Sequence, residues 1–281
     1  MKQKEPTDDK FACFVGNLNL SGLTGTKIIL WLAAIAIASF AIGSAILAVS
    51  GDLPGSAGNK ASPFSHTAMI APHTTTIPLD GATAGNVRIT MSAGELTLRG
   101  GAPQAALLDA TVFSTAPEWQ PEISWSANGT DKSVTISDRE HTREELFAAH
   151  SPGCWEILLT NKVPVRLQVD VGAGDSTLDL SDLNLAALDV NNGVGDAEID
   201  LGRFSGDPFR ANIHHGVGDL TLRVPGNSNT RIAVKAGVGD VINNGLEPHE
   251  DYFTTKGYNP SLPVNEIVIS QGVGSITLKT T

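Results

Sequence analysis

The feature that most constrains this chain is a short glycine turn that keeps returning. Gly172-Ala173-Gly174-Asp175, Gly193-Val194-Gly195-Asp196, Gly216-Val217-Gly218-Asp219 and Gly237-Val238-Gly239-Asp240 begin 21, 23 and 21 residues apart. A fifth copy, Gly272-Val273-Gly274-Ser275, begins 35 residues after the fourth. A degenerate copy, Ser92-Ala93-Gly94-Glu95, begins 80 residues before the first. A fixed period of this size is the signature of stacked repeats.

The flanks repeat with the turn. Five and three residues before it stand Val87/Ile89, Leu167/Val169, Leu188/Val190, Ala211/Ile213, Ile232/Val234 and Ile267/Ile269. Four and six residues after its first position stand Leu96/Leu98, Ser176/Leu178, Ala197/Ile199, Leu220/Leu222, Val241/Asn243 and Ile276/Leu278. Alternation of apolar and polar residues is the period of a half-buried strand. The phase flips across the turn, so both strands can send their apolar side chains to one interior. Each unit therefore reads as strand, glycine turn, strand. One unit buries too little to stand alone, and stacking merges the Leu, Ile and Val rows into one core. The glycines supply torsions or close approaches that a Cβ would block, and the aspartates are expected to cap their own turns. The fold class is all-β, a β-solenoid or stacked-hairpin array with a period of about 21 residues. A wound coil and a pile of hairpins satisfy the same alternation.

One segment does not belong to this pattern. Residues 28–50 carry no charge and run through Ile, Leu, Ala, Val, Phe and Trp with few interruptions. At about 1.5 Å per residue, such a run crosses a hydrocarbon layer of about 30 Å. A cleaved signal peptide, ending near Ala48-Val49-Ser50, is the competing reading, but the run and the segment before it are long for one. Lys2, Lys4, Lys10 and Lys27 precede the run, and Lys60 is the only base between it and Arg88. The positive-inside rule then puts the N-terminus in the cytoplasm and the rest outside a plasma membrane. The expected organisation is a cytoplasmic tail (1–27), a transmembrane helix (28–50), a Gly/Ser/Thr/Pro-rich linker (51–75) and a β-repeat domain (76–281). Within that domain, 76–165 reads as an N-terminal capping part and 166–281 as the regular repeats. Residues 101–165 lack the turn. They show strand-like runs near 106–114, 121–126, 132–138 and 155–160, and residues 143–149 read as a helical turn. They also hold three of the four tryptophans, Trp119, Trp125 and Trp155.

The net charge of −11 argues against nucleic acid, which needs a basic face. Residues 51–281 hold 15 Lys+Arg against 27 Asp+Glu, so the acidity belongs to the outer part. Two cysteines exclude a disulfide-dense scaffold and a Cys-rich zinc module.

Taken with Trp155-Glu156-Ile157-Leu158-Leu159, Val163-Pro164-Val165-Arg166-Leu167, Gly172-Ala173-Gly174 and Leu178-Asp179-Leu180, the repeat resembles the toast-rack domain. That family is related to the C-terminal domain of LiaF-like cell-envelope-stress proteins and to DUF4097-type candidate adhesins. The resemblance covers about residues 76–281. It implies a β-repeat domain beside a membrane segment, without known catalysis. LiaF-like proteins restrain a sensor kinase and have several spans; this chain shows one apolar run.

Other chemistry fares poorly. Gly174-Asp175-Ser176 has the start of an esterase-like motif, but the same turn continues as Gly-Asp-Ala and Gly-Asp-Leu elsewhere. Calcium-binding repeats need Asp-bearing turns at shorter period. Stacked Asp175, Asp196, Asp219 and Asp240 would form a row about 5 Å apart. His214 and His215 are adjacent on a strand and point to opposite faces, which makes a poor metal pair. No nucleotide-binding glycine pattern occurs. The expectation is therefore no enzyme, no cofactor and no metal. The structural turn residues are Gly172, Gly174, Asp175, Gly193, Gly195, Asp196, Gly216, Gly218, Asp219, Gly237, Gly239, Asp240, Gly272 and Gly274. Residues 243–265 lengthen one interval and hold both tyrosines, so Tyr252, Phe253 and Tyr258 are candidates for partner contact. The expected role is a single-pass, membrane-anchored, extracytoplasmic module for adhesin-like binding at the cell envelope. The alternative is an envelope-stress regulator acting through a membrane partner such as a sensor kinase. Expected partners are the membrane, an envelope protein or surface polymer, and a second copy of the chain.

Overall fold

The computed structural model describes residues 72–114, 120–138, 153–202 and 208–281. The expected tail and span (1–50), most of the linker, Trp119 and the segment 143–149 lie outside the described residues. Among the described residues no helix is long and apolar enough to cross a membrane. Residues Thr67–Thr281 form one compact unit, and its described part is built from strands.

Among the described residues, eighteen strands make two facing sheets. They are β1 (His73–Pro78), β2 (Ala84–Gly100), β3 (Ala106–Phe113), β4 (Glu122–Asn128), β5 (Asp131–Ser137) and β6 (Gly153–Leu159). Then come β7 (Val165–Ala173), β8 (Ser176–Asp179), β9 (Leu185–Val194), β10 (Ala197–Asp200), β11 (Arg210–Val217) and β12 (Leu220–Val224). The last are β13 (Thr230–Val238), β14 (Val241–Asn244), β15 (Glu247–Pro248), β16 (Tyr252–Thr254), β17 (Asn265–Val273) and β18 (Ile276–Thr280). β1 opens inside the stretch read as linker. The four runs read from 101–165 become β3, β4, β5 and β6.

The two strands of a repeat do not pair with each other. Each turn is a corner, and the strand before it lies in one sheet while the strand after it lies in the other. β7 pairs in parallel with β9, and β9 with β11; β8 pairs in parallel with β10, and β10 with β12. The chain is thus a wound coil, and the hairpin alternative is excluded for these repeats. The alternation fills the space between the sheets. Ile89, Val169, Val190, Ile213 and Ile269 from one sheet, and Leu98, Leu178, Ile199, Leu222 and Leu278 from the other, are almost wholly buried. Each such side chain stabilises the fold by roughly 1.5–3 kcal/mol through burial.

The coils do not stack in chain order. The pre-corner sheet runs β4-β5-β2-β7-β9-β11-β17-β13-β16-β15. The other runs β1-β3-β6-β2-β8-β10-β12-β18-β14, with β2 passing through both sheets. The first coil, β2, is therefore flanked by the later β5 and β6. The last coil, β17–β18, slots between β11–β12 and β13–β14. The long interval before Gly272 has a geometric cause: β13–β14 leaves a gap of one coil, and residues 245–264 travel outside it before the chain returns to fill it. This corrects the expected row of four consecutive aspartates, because Ser275 stands between Asp219 and Asp240.

Glycine is required at these corners by packing against the neighbouring coil. Gly195 has φ of +129°, which L side chains rarely adopt, and a Cβ there would lie 2.1 Å from the Gly174 carbonyl oxygen. The first glycine is equally confined: a Cβ on Gly193 would lie 2.3 Å from the Gly172 carbonyl oxygen.

The aspartates act between coils, which corrects the expectation that each caps its own turn. Asp175 Oδ1 accepts the Asp196 N–H at 2.9 Å, and Asp196 Oδ1 accepts the Asp219 N–H at 2.8 Å. Asp219 Oδ1 accepts the Ser275 N–H at 2.8 Å. The ladder runs one way along the stack.

At the N-terminal end the sheets are closed by antiparallel strands, β3 and β1 on β6 and β4 on β5. Trp155 is buried in the core, whereas Trp125 lies exposed on β4 under the Lys132 ammonium, 4.3 Å from the ring centroid. Lys132 itself is buried and donates to Asp80 Oδ2 at 2.7 Å and to the Pro78 carbonyl. This cation ties β5 to the segment that follows β1.

Candidate functional site

Stacking turns each repeat position into a row. Two residues before the first glycine stand Thr90, Asp170, Asn191, His214, Ser270 and Lys235, in that spatial order. The next outward position is the glycine row, with Ser92 at its start. Beyond it, at the corner, Ala93, Ala173, Val194, Val217, Val273 and Val238 line up in the same register. Six strands at about 4.8 Å make each row about 24 Å long.

A row without side chains between two rows with side chains is a groove. It is open, about 910 Å³, and runs across six coils. Its floor is backbone. One bank is polar: Asn191 donates to Asp170 Oδ1 at 2.6 Å, and His214 is exposed. Beside the floor runs the corner ridge, which is apolar and open to solvent, with Val194 54%, Val217 47%, Val273 48% and Val238 69% exposed.

Beneath the floor lies a buried polar column, Asn192, His215 and Gln271, on three adjacent coils. Alternation places His215 inside and His214 outside, as their adjacency on one strand predicts. Asn192 Nδ2 lies 3.4 Å from His215 Nδ1, and Gln271 Nε2 donates to the Gly218 carbonyl at 3.1 Å. Asn192 Oδ1 and Gln271 Oε1 are buried without a protein partner. The His215 pKa is held below its ordinary 6.5. Burial is the main cause, opposed by the nearby Gly218 backbone and by the charges of Asp196 and Asp219. Glu95, heading the acidic row, is pushed above its ordinary 4.5 by burial and then by the charge of Asp175.

Of the expected turn residues, Gly172, Gly193, Gly216, Gly237 and Gly272 form the floor of this groove, while the second glycines and the aspartates stack in their own rows at the corner, outside its lining. The structure does not bring the aromatic candidates there. Tyr252 stacks on His249 with centroids 4.5 Å apart and lies under the Arg231 guanidinium at 4.5 Å. Phe253 packs against the core, and Tyr258 is half-buried with its N–H donated to the Thr255 carbonyl. None of the three lines the groove. The insertion is a strap: β16 pairs with the outer edge of β13 over Arg231–Ala233. The polar bank is absent from the sequence-based candidates, although its signal is plain in the repeat: the outward position two residues before each first glycine holds Thr, Asp, Asn, His, Ser or Lys, and never an apolar residue.

Among solved structures, a candidate cell adhesion protein from Clostridium sporogenes matches with a TM-score of 0.68 and 26% identity, covering 75% of this chain and 99% of its own. A candidate adhesin from Bacteroides fragilis covers 75% of this chain and 97% of its own at 14% identity, with a TM-score of 0.34. None of the curated proteins matches. The family described as the N-terminal domain of toast_rack, DUF2154, matches residues 68–223, more than half of the sequence. The glycine corners, the wound parallel coils and this match agree, and the chain belongs to the toast-rack family.

Proposed function

We propose that this chain is a non-enzymatic binding module, adhesin-like in character, held at the outer face of a membrane by residues 28–50. The observation that carries the binding role is the groove: an open floor of backbone with a polar bank and an apolar corner ridge, continued over six coils. Such a surface suits a linear partner laid across the coils, because each coil offers the same two contacts. Direct readout comes from the bank, where Asn191, His214 and Lys235 differ in charge and donor pattern. The orphaned acceptors of Asn192 and Gln271 under the floor add polar capacity. The likeness to a candidate cell adhesion protein supports the same reading. The uncharged run and the lysines before it support anchoring with the repeat domain outside.

The test is binding of the full chain to surface polymers displayed on an array, with isolated cell-wall material as a second probe. The bank variants N191A, H214A and K235A leave the core untouched. A bound polymer should lose about thirtyfold in affinity when two are combined, since each contact contributes about 1 kcal/mol. Binding that survives all three together would remove the groove from the function.

A further inference from the structure

The solenoid has one unfinished end. β14 pairs only with β18, and β13 is covered on its far side by β16 only over Arg231–Ala233. Among the described residues, no strand pairs with Val234–Val238 or Val241–Asn244 on that side, and only the Asn243 side chain is engaged there, by the Leu246 backbone. The exposure agrees: every residue from Lys235 to Ile242 is exposed, including Val238 at 69%, Val241 at 38% and Ile242 at 43%. Val241 occupies the inward row that is almost wholly buried in Leu98's neighbours Leu96, Leu220 and Ile276. It is exposed because the stack stops there.

The groups left open are those that join coils elsewhere. In each inner coil, the second glycine gives its N–H to the next coil, as Gly195 does to the Val217 carbonyl and Gly274 to the Val238 carbonyl. The residue after the acidic position does the same, as Ile276 does to the Asp240 carbonyl. By the same geometry the Gly239 and Val241 N–H groups face outward, and Asp240 stands where each earlier aspartate accepts a neighbour's N–H. An exposed apolar edge with unpaired backbone groups is a template for another strand.

We infer that this end coil docks against the same end coil of a second copy, through a two-fold axis at the corner. β13 runs towards the corner and β14 runs away from it. A two-fold rotation about the bisector lays β13 of one copy beside β14 of the other, antiparallel, and fills both edges at once. The lengths agree: β16 leaves five residues of β13 uncovered, Val234–Val238, and β14 supplies four, Val241–Asn244. Charge favours the same choice. A chain of net charge −11 repels its copies over most of its surface, but residues 234–246 carry one Lys and one Asp and are neutral. Head-to-tail growth is poorly matched. At the other end one sheet extends two strands past its last parallel strand and the other extends one, so the two edges are not level. The inference rests on the binding reading and deepens it by naming one partner; its edge meets the groove only at the last coil, where Lys235 belongs to the bank, and leaves Asp170, Asn191 and His214 free.

The experiment is light scattering of the full chain in detergent across a concentration series, beside I242K and N244K, two exposed β14 positions outside the groove. Both sites are exposed, so both variants should keep the wild-type melting temperature. A lysine on an open edge opposes pairing, and each should weaken dimerisation by ~10-fold or more. A monomeric wild type at all concentrations, or a dimer indifferent to both variants, overturns the inference. If one variant misfolds, the other decides. Polymer binding by the bank is measured on the same samples: loss of the dimer with binding intact, or the reverse, separates failure of this inference from failure of the groove reading.

Discussion

His215 is the residue at which the repeat departs furthest from a plain apolar core. Its row is filled by Met91, Val171 and Ala236 in other coils, and by Asn192 and Gln271 beside it. A buried imidazole resists charging, and here burial outweighs the pull of Asp196 and Asp219. In the unfolded chain the same ring takes up a proton near pH 6.5. The unfolded state therefore binds more protons as pH falls below that value, and stability is lost until the folded ring also charges. Glu95 works the other way. Its folded pKa is raised, so the folded state holds the proton more tightly, and its contribution to stability fades as pH rises from the unfolded value through the folded one. Replacing His215 with Gln, the residue its neighbour already carries, isolates the first effect. The wild-type melting temperature should drop between about pH 7 and about pH 5 by ~2–4 °C for each kcal/mol lost, and H215Q should drop less. Parallel melting curves for the two proteins would show that His215 is not the source.

At the scale of one coil, the corner is held by two devices with different tolerances. The glycines admit no side chain, because the next coil's carbonyl occupies the space. The aspartate ladder is a hydrogen bond to a neighbour, and it needs an acceptor rather than a charge. D196A removes the acceptor for the Asp219 N–H and should cost about 1 kcal/mol. D196N keeps an oxygen there and removes one of a row of like charges, so it should stay near the wild type or rise above it at low salt. Equal losses in the two, measured by denaturant unfolding, would mean that the charge itself is what matters. These corners also mark how far the sequence could be read. The period, the strand phase and the inward direction of His215 follow from local alternation, which each repeat carries in its own residues. The partner of each coil does not, since every corner presents the same glycines and the same carbonyls. Ser275 in place of Asp, and the long interval before it, were the only local marks of the coil that fills the gap. The groove bank was legible in principle at one fixed offset, but polar residues on an outward face are ordinary until stacking aligns them.

The order of coils makes the whole molecule behave unlike a simple solenoid, in which each repeat touches only its chain neighbours and a terminal one can be removed cheaply. β13–β14 does not pair with β11–β12. It is joined to the body through β17 and β18, which hold both flanking coils in parallel register. A truncation after Val264 deletes one coil by length but removes the partner of two. Closing the gap would require β13 to move one strand spacing, about 4.8 Å, against the strap that residues 245–264 form outside it. The truncated chain should therefore lose protection well beyond the deleted strands. Amides of residues 230–248 should exchange as in an unfolded chain, while those of β7–β10 remain protected, because local opening follows the loss of pairing. In the intact chain, residues 230–238 should instead be protected with β17. Retained protection of 230–238 after truncation would mean that β13 can dock on β11 directly, and that the C-terminal coil is an addition to the stack and not its keystone.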